Sequence, residues 1–315
     1  MKHFTSLADV DDPQKLVEEV ITWKNQPANP DFAKGFSLVL LFFNPSLRTR
    51  LSSQRAAQLL GMDSMVLDVG SSWPLEFDLG TVMDQNKSEH IKEAAAVISQ
   101  YADIIGIRSF PTLENRDLDY SEPVIEAFKK YGDRPVVNLE SGTGHPLQGL
   151  ADMTTIREHR KTERPRVLLT WAPHPRALPQ SVPNSFAEWT LAQDYDLVIA
   201  HPEGYDLDPR FTQGATIMHD PDTAYEGVDF VYAKNWSSYQ EYGKILDRNP
   251  TWMVDAKKMS KTNNAFFMHC LPVRRNVVVA DDVIDSKQSL VIQQSNNRTF
   301  AAMAVLRNII TNINT

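Results

Sequence analysis

The sequence has 315 residues, about twice the ~150 at which a single hydrophobic core is most common, which favours two domains of similar size. Hydrophobic residues make up 42% and charged residues 23%, a composition that excludes collagen, coiled coil and wholesale disorder. The 32 basic and 40 acidic residues leave a net charge of −8, which argues against unselective binding of nucleic acid through a basic face.

Cysteine usage and hydropathy indicate where the protein works. The single cysteine, Cys270, cannot form an internal disulfide or a Cys-based metal site, which fits a reducing compartment. The amino-terminal MKHFTSLADVDDPQ lacks the apolar run of a signal peptide, and no apolar stretch approaches the ~18 to 20 residues of a membrane-spanning helix. We therefore expect a cytoplasmic protein without nucleic-acid or membrane partners.

Short apolar runs alternate with stretches of helical period, a pattern typical of a parallel sheet covered by helices. In the first half we predict helices from Arg50 to Leu60, ended by Gly61, and from Glu89 to Tyr101, capped by Ser88. The predicted strands are SLVLLFF ending at Phe43, MVLDV ending at Val69, DIIGI ending at Ile107 and PVVNL ending at Leu139.

The second half repeats this alternation after a helix-like HPLQGLADMTTIREHR. Further helices are predicted over SVPNSFAEWTLAQ, opening at Ser181 or Pro183, and from Asn296 to the carboxyl terminus. The predicted strands are RVLLTW ending at Trp171, DLVIA ending at Ala200, DFVYA ending at Ala233, AFFMH ending at His269, and SLVIQQ. We predict two doubly wound α/β domains with parallel sheets, residues 1–148 and 149–295, and a carboxyl-terminal helix, 296–315, packing back on the first.

Polar and charged residues collect directly after the predicted strands. Ligands of open α/β sheets bind beyond the carboxyl ends of the strands, so we expect these residues to line a cleft between the two domains. They include Arg108 and Phe110, Glu140, the HPLQ segment with His145 and Gln148, His174, Lys234, and the turn containing Cys270, Leu271 and Arg274.

The segment NPSLRTR after the first strand predicts a phosphate cradle. A loop that opens a helix presents unpaired backbone amides, to which two guanidiniums and two hydroxyls add donors that match a phosphate dianion. The alternative is a solvated helix start whose arginines pair with carboxylates. Neither GxGxxG nor GxxxxGK[ST] is present, so dinucleotide and P-loop sites lack their glycines. The cradle residues are Ser46, Leu47, Arg48, Thr49 and Arg50.

Three of these segments carry a family resemblance. SLRTR after a strand, HPLQ about a hundred residues later and HCLPVRR near residue 270 resemble the three signatures of the aspartate and ornithine carbamoyltransferases, in order and with similar spacing. The resemblance spans nearly the whole chain. It implies direct carbamoyl transfer from carbamoyl phosphate to an amine, without metal or organic cofactor.

The resemblance also implies roles for individual residues. Thr49, Arg108, His145 and Gln148 match the catalytic set, in which His145 and Gln148 would be donors to the carbamoyl carbonyl. Trp73 resembles a loop residue that enters a neighbouring subunit's site, which implies a homotrimer. We read Cys270 as an inert thiol. Carbamoyl phosphate would contact Ser46, Leu47, Arg48, Thr49, Arg50, Trp73, Arg108, His145, Gln148, Cys270, Leu271 and Arg298.

The acceptor amine is predicted from a segment in which this chain departs from ordinary ornithine carbamoyltransferases. Ordinary ornithine carbamoyltransferases carry an aspartate-containing segment and an SMG motif that bind the α-ammonium and carboxylate of ornithine, whereas this chain has Lys234 in YAKNWSS. A lysine repels an ammonium and attracts a carboxylate, so the site favours an α-amine that is acylated. The segments WAPHPR, SVPNSFAEW, YAKNW and HCLPVRR resemble the N-acetylornithine and N-succinylornithine carbamoyltransferases.

Within that subfamily one loop position distinguishes enzymes by the acyl group of their substrate. Enzymes that use N-acetylornithine carry glutamate there, and enzymes that use N-succinylornithine carry proline. In this chain the position is Ser88, which lacks the charge that would repel a succinyl carboxylate. N-acetylornithine enzymes can also carry a lysine a few residues after HCLP, where this chain has Val277-Val278-Val279. We therefore predict N-succinyl-L-ornithine as acceptor. The predicted acceptor-binding residues are Ser88, Phe110, Glu140, His174, Lys234, Cys270, Leu271 and Arg274.

Two alternatives remain open. One is N-acetyl-L-ornithine as acceptor. The other, from a different class, is a non-catalytic module that binds a phosphorylated metabolite, which would keep Arg48 and Arg50 but has no need for His145, Gln148 and the HCLP turn together.

Overall fold

The structure is a computed structural model that describes residues 1–314, except the side chain of residue 71. The first half contains α1 Pro13–Lys24, β1 Ser37–Phe42, α2 Arg48–Leu60, β2 Asp63–Asp68, α3 Val69–Ser72, β3 Leu75–Glu76, β4 Glu89–His90, α4 Ile91–Tyr101, β5 Ile104–Arg108, α5 Arg116–Tyr120, α6 Pro123–Tyr131 and β6 Val136–Glu140, with a 3₁₀ turn over Leu7–Asp9.

The second half follows the same alternation of strands and helices. It contains α7 Pro146–His159, β7 Arg166–Trp171, α8 Ser181–Ala192, β8 Asp196–Ala200, α9 Pro209–Thr212, β9 Thr216–Met218, β10 Phe230–Lys234, α10 Ala256–Met259, β11 Phe266–Met268, α11 Asp281–Ile284 and α12 Val291–Ile313, with a 3₁₀ turn over Pro250–Trp252.

Two parallel sheets organise the chain. The first has the order β2-β1-β5-β6 and the second β11-β10-β7-β8-β9, and the short pair β3 and β4 is separate. In the first sheet β2 lies on one side of β1 and the later strands β5 and β6 lie on the other. In the second sheet β8 and β9 lie on one side of β7 and the later strands β10 and β11 lie on the other. Such switch points leave a crevice at the carboxyl ends of the strands. The predicted doubly wound α/β class is confirmed.

Strand β1 shows how helices cover both faces of the first sheet. Side chains alternate across a strand, so Leu38 and Leu40 enter the large core with α1, α2, α7 and α12, whereas Val39 and Leu41 enter a smaller core with α4 and α6. All four are buried. A strand buried on both faces reads as a continuous apolar run, which is why it was visible in the sequence.

The connections place the site between the sheets. Helix α7 joins the sheets and runs without a break through residues 148 and 149, where we predict the domain boundary. Helix α12 returns to pack against α1, α2 and α7. No helix within residues 1–314 is long and apolar enough to cross a membrane.

Two predictions near the carboxyl terminus are wrong. The SLVIQQ segment is not a strand, because α12 begins at Val291, and the helix predicted from Asn296 therefore starts five residues earlier. Only Ser289 makes a bridge, to Phe267, before the helix begins. A run of three apolar residues cannot separate a short strand from a buried helix start. Residue 315, the end of the predicted helix, lies outside the described residues.

The predicted cap of the helix near residue 90 is also wrong. Glu89 and His90 form β4, paired with Leu75 and Glu76, and the helix starts at Ile91. His90 Nδ1 accepts from the backbone N–H of Lys92, so His90 rather than Ser88 caps the helix. Two-residue strand pairs such as β3 and β4 leave no periodic signal in a sequence.

Candidate active site

The carboxyl ends of both sheets open into one cavity of about 1120 Å³. The loops after β1, β5, β7, β10 and β11 all contribute, as the two switch points require. Six cationic side chains line the cavity against two carboxylates, Asp68 and Glu140, although the chain as a whole is acidic. The cations are Arg48, Arg50, Arg108, Lys234, Arg274 and Arg298. The cavity is therefore suited to anionic ligands.

The amino terminus of α2 forms one wall. Its N-cap residue, Leu47, makes no side-chain capping hydrogen bond, so the first amides of the helix stay available to an anion. Thr49 is buried, and Ser46 and Arg48 line the same wall. Arg50 forms an ion pair with Asp68, and its guanidinium lies 4.8 Å from the ring centre of Phe42.

Arg108 is held rigidly at the end of β5. Its Nη1 donates to the carbonyl oxygens of Asn44 (3.0 Å) and Pro45 (2.6 Å), and its Nη2 donates to Glu140 Oε2 at 3.1 Å. The guanidinium lies 4.1 Å from the ring centre of Phe110. A fork fixed by a carboxylate and two carbonyls presents its charge to the cavity without needing to reorganise.

His145 is the N-cap residue of α7 and is almost completely buried. Burial and the cations Arg298, Arg108 and Lys234 hold the pKa of His145 well below its usual range, so the ring is neutral at neutral pH. Arg298 Nη2 lies 3.3 Å from His145 Nε2, and a guanidinium can only donate. The ring hydrogen therefore belongs on Nδ1, which has no hydrogen-bond partner among the described residues.

Gln148 lies one turn further along α7, and its orientation differs from our expectation. We predicted its amide as a donor to the substrate carbonyl. Instead, Nε2 donates to Asp152 Oδ1 at 2.7 Å, whereas Oε1 is buried without a partner within residues 1–314. Gln148 lines the cavity, and because its nitrogen is bound to Asp152, its polar atom without a partner is an acceptor.

Arg298 brings the carboxyl-terminal helix into the site. It is buried, and Nη2 donates to Thr49 Oγ1 at 2.6 Å. One guanidinium thus contacts both the start of α2 and the start of α7. Helix α12 places it there because Arg298 lies on the face that packs against these two helices.

The opposite wall carries Lys234, His174 and Arg274. Lys234 ends β10 and lines the cavity. Arg274 Nε donates to His174 Nε2 at 3.0 Å, which leaves the terminal nitrogens of Arg274 for a ligand. Burial, with Arg274 and Lys234 nearby, lowers the pKa of His174, so this histidine is an uncharged acceptor for the guanidinium.

The turn after β11 contributes Cys270 and Leu271. The backbone N–H of Leu271 donates to His269 Nδ1 at 2.8 Å, which fixes the turn. Cys270 is 8% exposed, and burial raises the pKa of its thiol. A thiol kept protonated is a poor nucleophile, so the structure gives Cys270 no covalent role.

All predicted binding residues except Trp73 and Ser88 line this cavity. Trp73 is 53% exposed, and its indole nitrogen donates to Glu89 Oε2 at 2.8 Å. Ser88 is exposed, and its backbone N–H donates to the carbonyl oxygen of Pro74. Both therefore lie on a surface loop of the single chain, outside the cavity of that chain.

Sequence reasoning missed two buried residues behind the cavity, Asp152 and Gln294. Asp152 lies four residues after Gln148, and Gln294 lies four residues before Arg298. That spacing puts each pair on one helix face, so Asp152 could have been found on the predicted helix that follows HPLQ. Gln294 could not, because we predicted its segment as a strand. No group of three or more His, Cys, Asp or Glu side chains within residues 1–314 is placed to hold a metal ion.

Comparisons with known proteins agree with this geometry. Residues 2–158 match the carbamoyl-P binding domain of aspartate/ornithine carbamoyltransferase, and residues 179–309 match its Asp/Orn binding domain. The N-succinylornithine carbamoyltransferase of Bacteroides thetaiotaomicron is 51% identical over 314 residues, covering 98% of this chain and 99% of the relative. The N-acetylornithine carbamoyltransferase of Xanthomonas axonopodis pv. citri is 37% identical, covering 97% and 96%.

A crystal structure of acetylornithine transcarbamylase complexed with acetylcitrulline has a TM-score of 0.93 to this chain at 37% identity, covering 98% of this chain and 99% of that one. The resemblance inferred from SLRTR, HPLQ and HCLPVRR is thus confirmed over nearly the full length. The chain belongs to the aspartate/ornithine carbamoyltransferase family.

Proposed function

We propose that this protein transfers the carbamoyl group of carbamoyl phosphate to the δ-amine of N-succinyl-L-ornithine, giving N-succinyl-L-citrulline and phosphate in arginine biosynthesis. The observation that carries the proposal is one cationic cavity in which the start of α2, the HPLQ helix start and the HCLP turn meet. The 51% identical relative named for this acceptor supports the choice of substrate.

Carbamoyl phosphate has chemistry that fits the wall formed by α2 and α7. Its phosphate would take the free amides at the start of α2 together with Ser46, Arg48, Thr49 and Arg50. Its carbonyl oxygen would take donors from Arg108, Thr49 and His145, and its amide nitrogen can donate to Gln148 Oε1. The phosphate, the carbonyl oxygen and one amide N–H of the molecule then each have a partner.

The acylornithine would occupy the opposite wall. Its α-carboxylate would pair with Lys234, and the terminal carboxylate of the succinyl group with the free nitrogens of Arg274. An isolated pair at ~4 Å and an effective dielectric of ~20 gains up to ~4 kcal/mol before desolvation is subtracted. Phe110 and Leu271 add apolar surface for the methylene chain, and Glu140 lies beside Arg108.

The chemical step needs no group beyond the two substrates and these side chains. The neutral δ-amine attacks the carbonyl carbon, the carbonyl oxygen becomes an oxyanion beside Arg108, Thr49 and His145, and the bond from carbon to the phosphate oxygen breaks. The attacking nitrogen loses a proton, for which the departing phosphate is an acceptor. Because a free amine of this kind has a pKa of ~10.4, the rate should rise with pH.

The acceptor is tested by a citrulline-product assay with carbamoyl phosphate and, in parallel, ornithine, N-acetylornithine and N-succinylornithine. We expect the highest kcat/KM with N-succinylornithine and almost none with ornithine, whose α-ammonium meets Lys234. A preference for N-acetylornithine would instead assign the alternative acceptor, and no citrulline product with any amine would favour a non-catalytic binding module.

Ser88 is proposed as the position that separates the acyl groups. Ser88→Glu would place an anion near the succinyl carboxylate and move the preference toward N-acetylornithine, since like charges in a partly desolvated cleft cost up to several kcal/mol. Ser88→Ala is the matched control, because it changes the side chain without adding charge. If Ser88→Glu leaves the ratio of the rates with N-succinylornithine and N-acetylornithine unaltered, Ser88 does not contact the acyl group.

We further propose a homotrimer in which the loop with Trp73 and Ser88 enters the cavity of the neighbouring subunit. Exposed large apolar side chains support it, since Leu47, the N-cap residue of α2, and Leu51 on α2 are 66% and 59% exposed. Met65 and Leu67 on the edge strand β2 are 40% and 42% exposed. An apolar surface of this kind is typical of an interface between subunits. The lone cysteine fits our proposal of a cytoplasmic location.

Subunit complementation tests the shared site. A Trp73→Ala chain and a His145→Ala chain, each inactive alone, are mixed under conditions of subunit exchange. Hybrids would contain some sites with neither defect, so part of the activity should return. No recovery after exchange has been verified by mass would indicate that each site is built from one chain.

A further inference from the structure

The buried carboxyl of Asp152 lies directly behind the cavity wall. Asp152 is completely buried on α7, and its Oδ1 accepts two hydrogen bonds, from Gln148 Nε2 and from Gln294 Nε2, each at 2.7 Å. It does not itself line the cavity. A carboxyl group removed from water is costly, so its presence there needs an explanation beyond packing.

The two amides connect Asp152 to three walls of the site. Gln148 lines the cavity on α7, and Gln294 lies on α12 one turn before Arg298. Gln294 Oε1 also accepts from the backbone N–H of His269 at 3.0 Å, which holds the turn that carries Cys270. One carboxyl oxygen thus ties the HPLQ helix, the carboxyl-terminal helix and the HCLP turn together.

The chemistry of these bonds fixes the direction of the Gln148 amide. A side-chain amide has an oxygen and a nitrogen of similar size, so packing alone leaves both orientations open. Because Asp152 Oδ1 is an acceptor, the Gln148 nitrogen must face Asp152. Gln148 Oε1, which has no partner within residues 1–314, is then the atom that can bind a ligand. Reversal would aim two N–H groups at the ligand and an oxygen at the carboxyl.

We infer that Asp152 is a positioning residue for carbamoyl transfer, which acts by orienting the Gln148 amide so that its oxygen receives the carbamoyl N–H of the substrate. The inference rests on the proposed function. It also gives Gln294 a role, because a second donor on the same oxygen keeps that oxygen an acceptor toward Gln148.

Two substitutions separate orientation from simple packing. Asp152→Asn keeps one acceptor oxygen, whereas Asp152→Leu keeps the branched shape with bulkier methyl groups and has no acceptor. Loss of one oriented hydrogen bond should lower kcat/KM for carbamoyl phosphate about tenfold or more in Asp152→Leu, with Asp152→Asn much closer to wild type. Equal losses in the two variants would overturn the inference.

Thr155→Val is the matched control. Thr155 Oγ1 accepts from Asn297 Nδ2 at 2.9 Å, a buried contact between the same two helices that does not line the cavity. We expect Thr155→Val to lower the thermal midpoint of unfolding but to leave kcat/KM unchanged. If Thr155→Val lost as much activity as Asp152→Leu, the loss of any buried polar contact between these helices would explain the lower activity. The orientation of the Gln148 amide would then not be the cause.

A double-mutant cycle identifies Gln148 as the group through which Asp152 acts. The single variants Gln148→Leu and Asp152→Leu are compared with the double variant, all in the presence of saturating acceptor. If Asp152 acts through Gln148, the double variant should be within about twofold of Gln148→Leu, because the orientation of an absent amide cannot matter. If Asp152→Leu does not fold, Asp152→Ser, whose hydroxyl is too short to reach both amides, replaces it.

The outcomes remain distinguishable. Losses that multiply in the double variant of an active enzyme would overturn the positioning role of Asp152 and leave the proposed function intact. Absence of any citrulline product in the wild-type protein would overturn the proposed function, and the inference with it.

Discussion

Replacement of Arg298 by glutamine removes a cation that contacts both Thr49 on α2 and His145 at the start of α7. The guanidinium donates through Nη2 to Thr49 Oγ1 at 2.6 Å and lies 3.3 Å from His145 Nε2. Arg298 is 5% exposed, so water does not readily replace these contacts. Glutamine keeps a polar end but is shorter and uncharged, so both partners lose a charged donor.

The expected loss follows from these contacts. A hydrogen bond to a charged group contributes ~1.5–3 kcal/mol, and ~1.4 kcal/mol corresponds to a factor of ten, so kcat/KM should fall roughly 10- to 100-fold. Arg298 is also one of the cations that lower the pKa of His145. Without it that pKa rises toward its ordinary value, so the acid limb of kcat/KM should move to higher pH.

The assay is citrulline-product formation at saturating acceptor, with carbamoyl phosphate varied, between pH 5.5 and 9. Arg307→Gln is the matched control, because Arg307 lies on the same helix outside the cavity, with its guanidinium 3.6 Å and 3.8 Å from the ring centres of Trp23 and Phe32. Arg307→Gln should keep full activity. The reasoning is refuted if Arg298→Gln changes kcat/KM less than threefold, or if its acid limb stays at the wild-type pH.

Three further results are expected. Gly149→Ala should destabilise the fold by about 1–3 kcal/mol in urea unfolding, because the new Cβ would lie 2.4 Å from Cδ1 of the buried Trp189; an unchanged midpoint would show that α7 can move. Burial raises the pKa of Asp152 to about 7, so the folded state holds a proton that the unfolded chain releases near pH 4. Wild type should therefore lose stability relative to Asp152→Asn as pH rises from about 4 to 7, and parallel curves would contradict this assignment. Cys270, buried and with a raised thiol pKa, should resist iodoacetamide in the native protein and react after denaturation, as intact mass would show.

Most strands and the motifs that line the cavity could be predicted from the sequence alone. Strands such as β1 and β7 are buried on both faces, so their residues form continuous apolar runs that stand out from amphipathic helices. Gly61 ends α2 with φ of 80°, a conformation that glycine adopts without strain, so its position also predicted the helix end. The rule that ligands bind at carboxyl ends of parallel strands then brought Arg108, His174 and Lys234 to one cavity.

Other features depend on contacts between distant segments. The SLVIQQ segment contains the start of α12, and its buried Gln294 donates to Asp152, 142 residues away; a local apolar run carries no trace of that partner. We likewise predicted Gln148 as a donor to the ligand, whereas its nitrogen is bound to Asp152; an amide can donate or accept, and its neighbour decides. The sequence thus specified which groups reach the site, and only the tertiary structure, by pairing each polar atom, decided which atom of each group remains for a substrate.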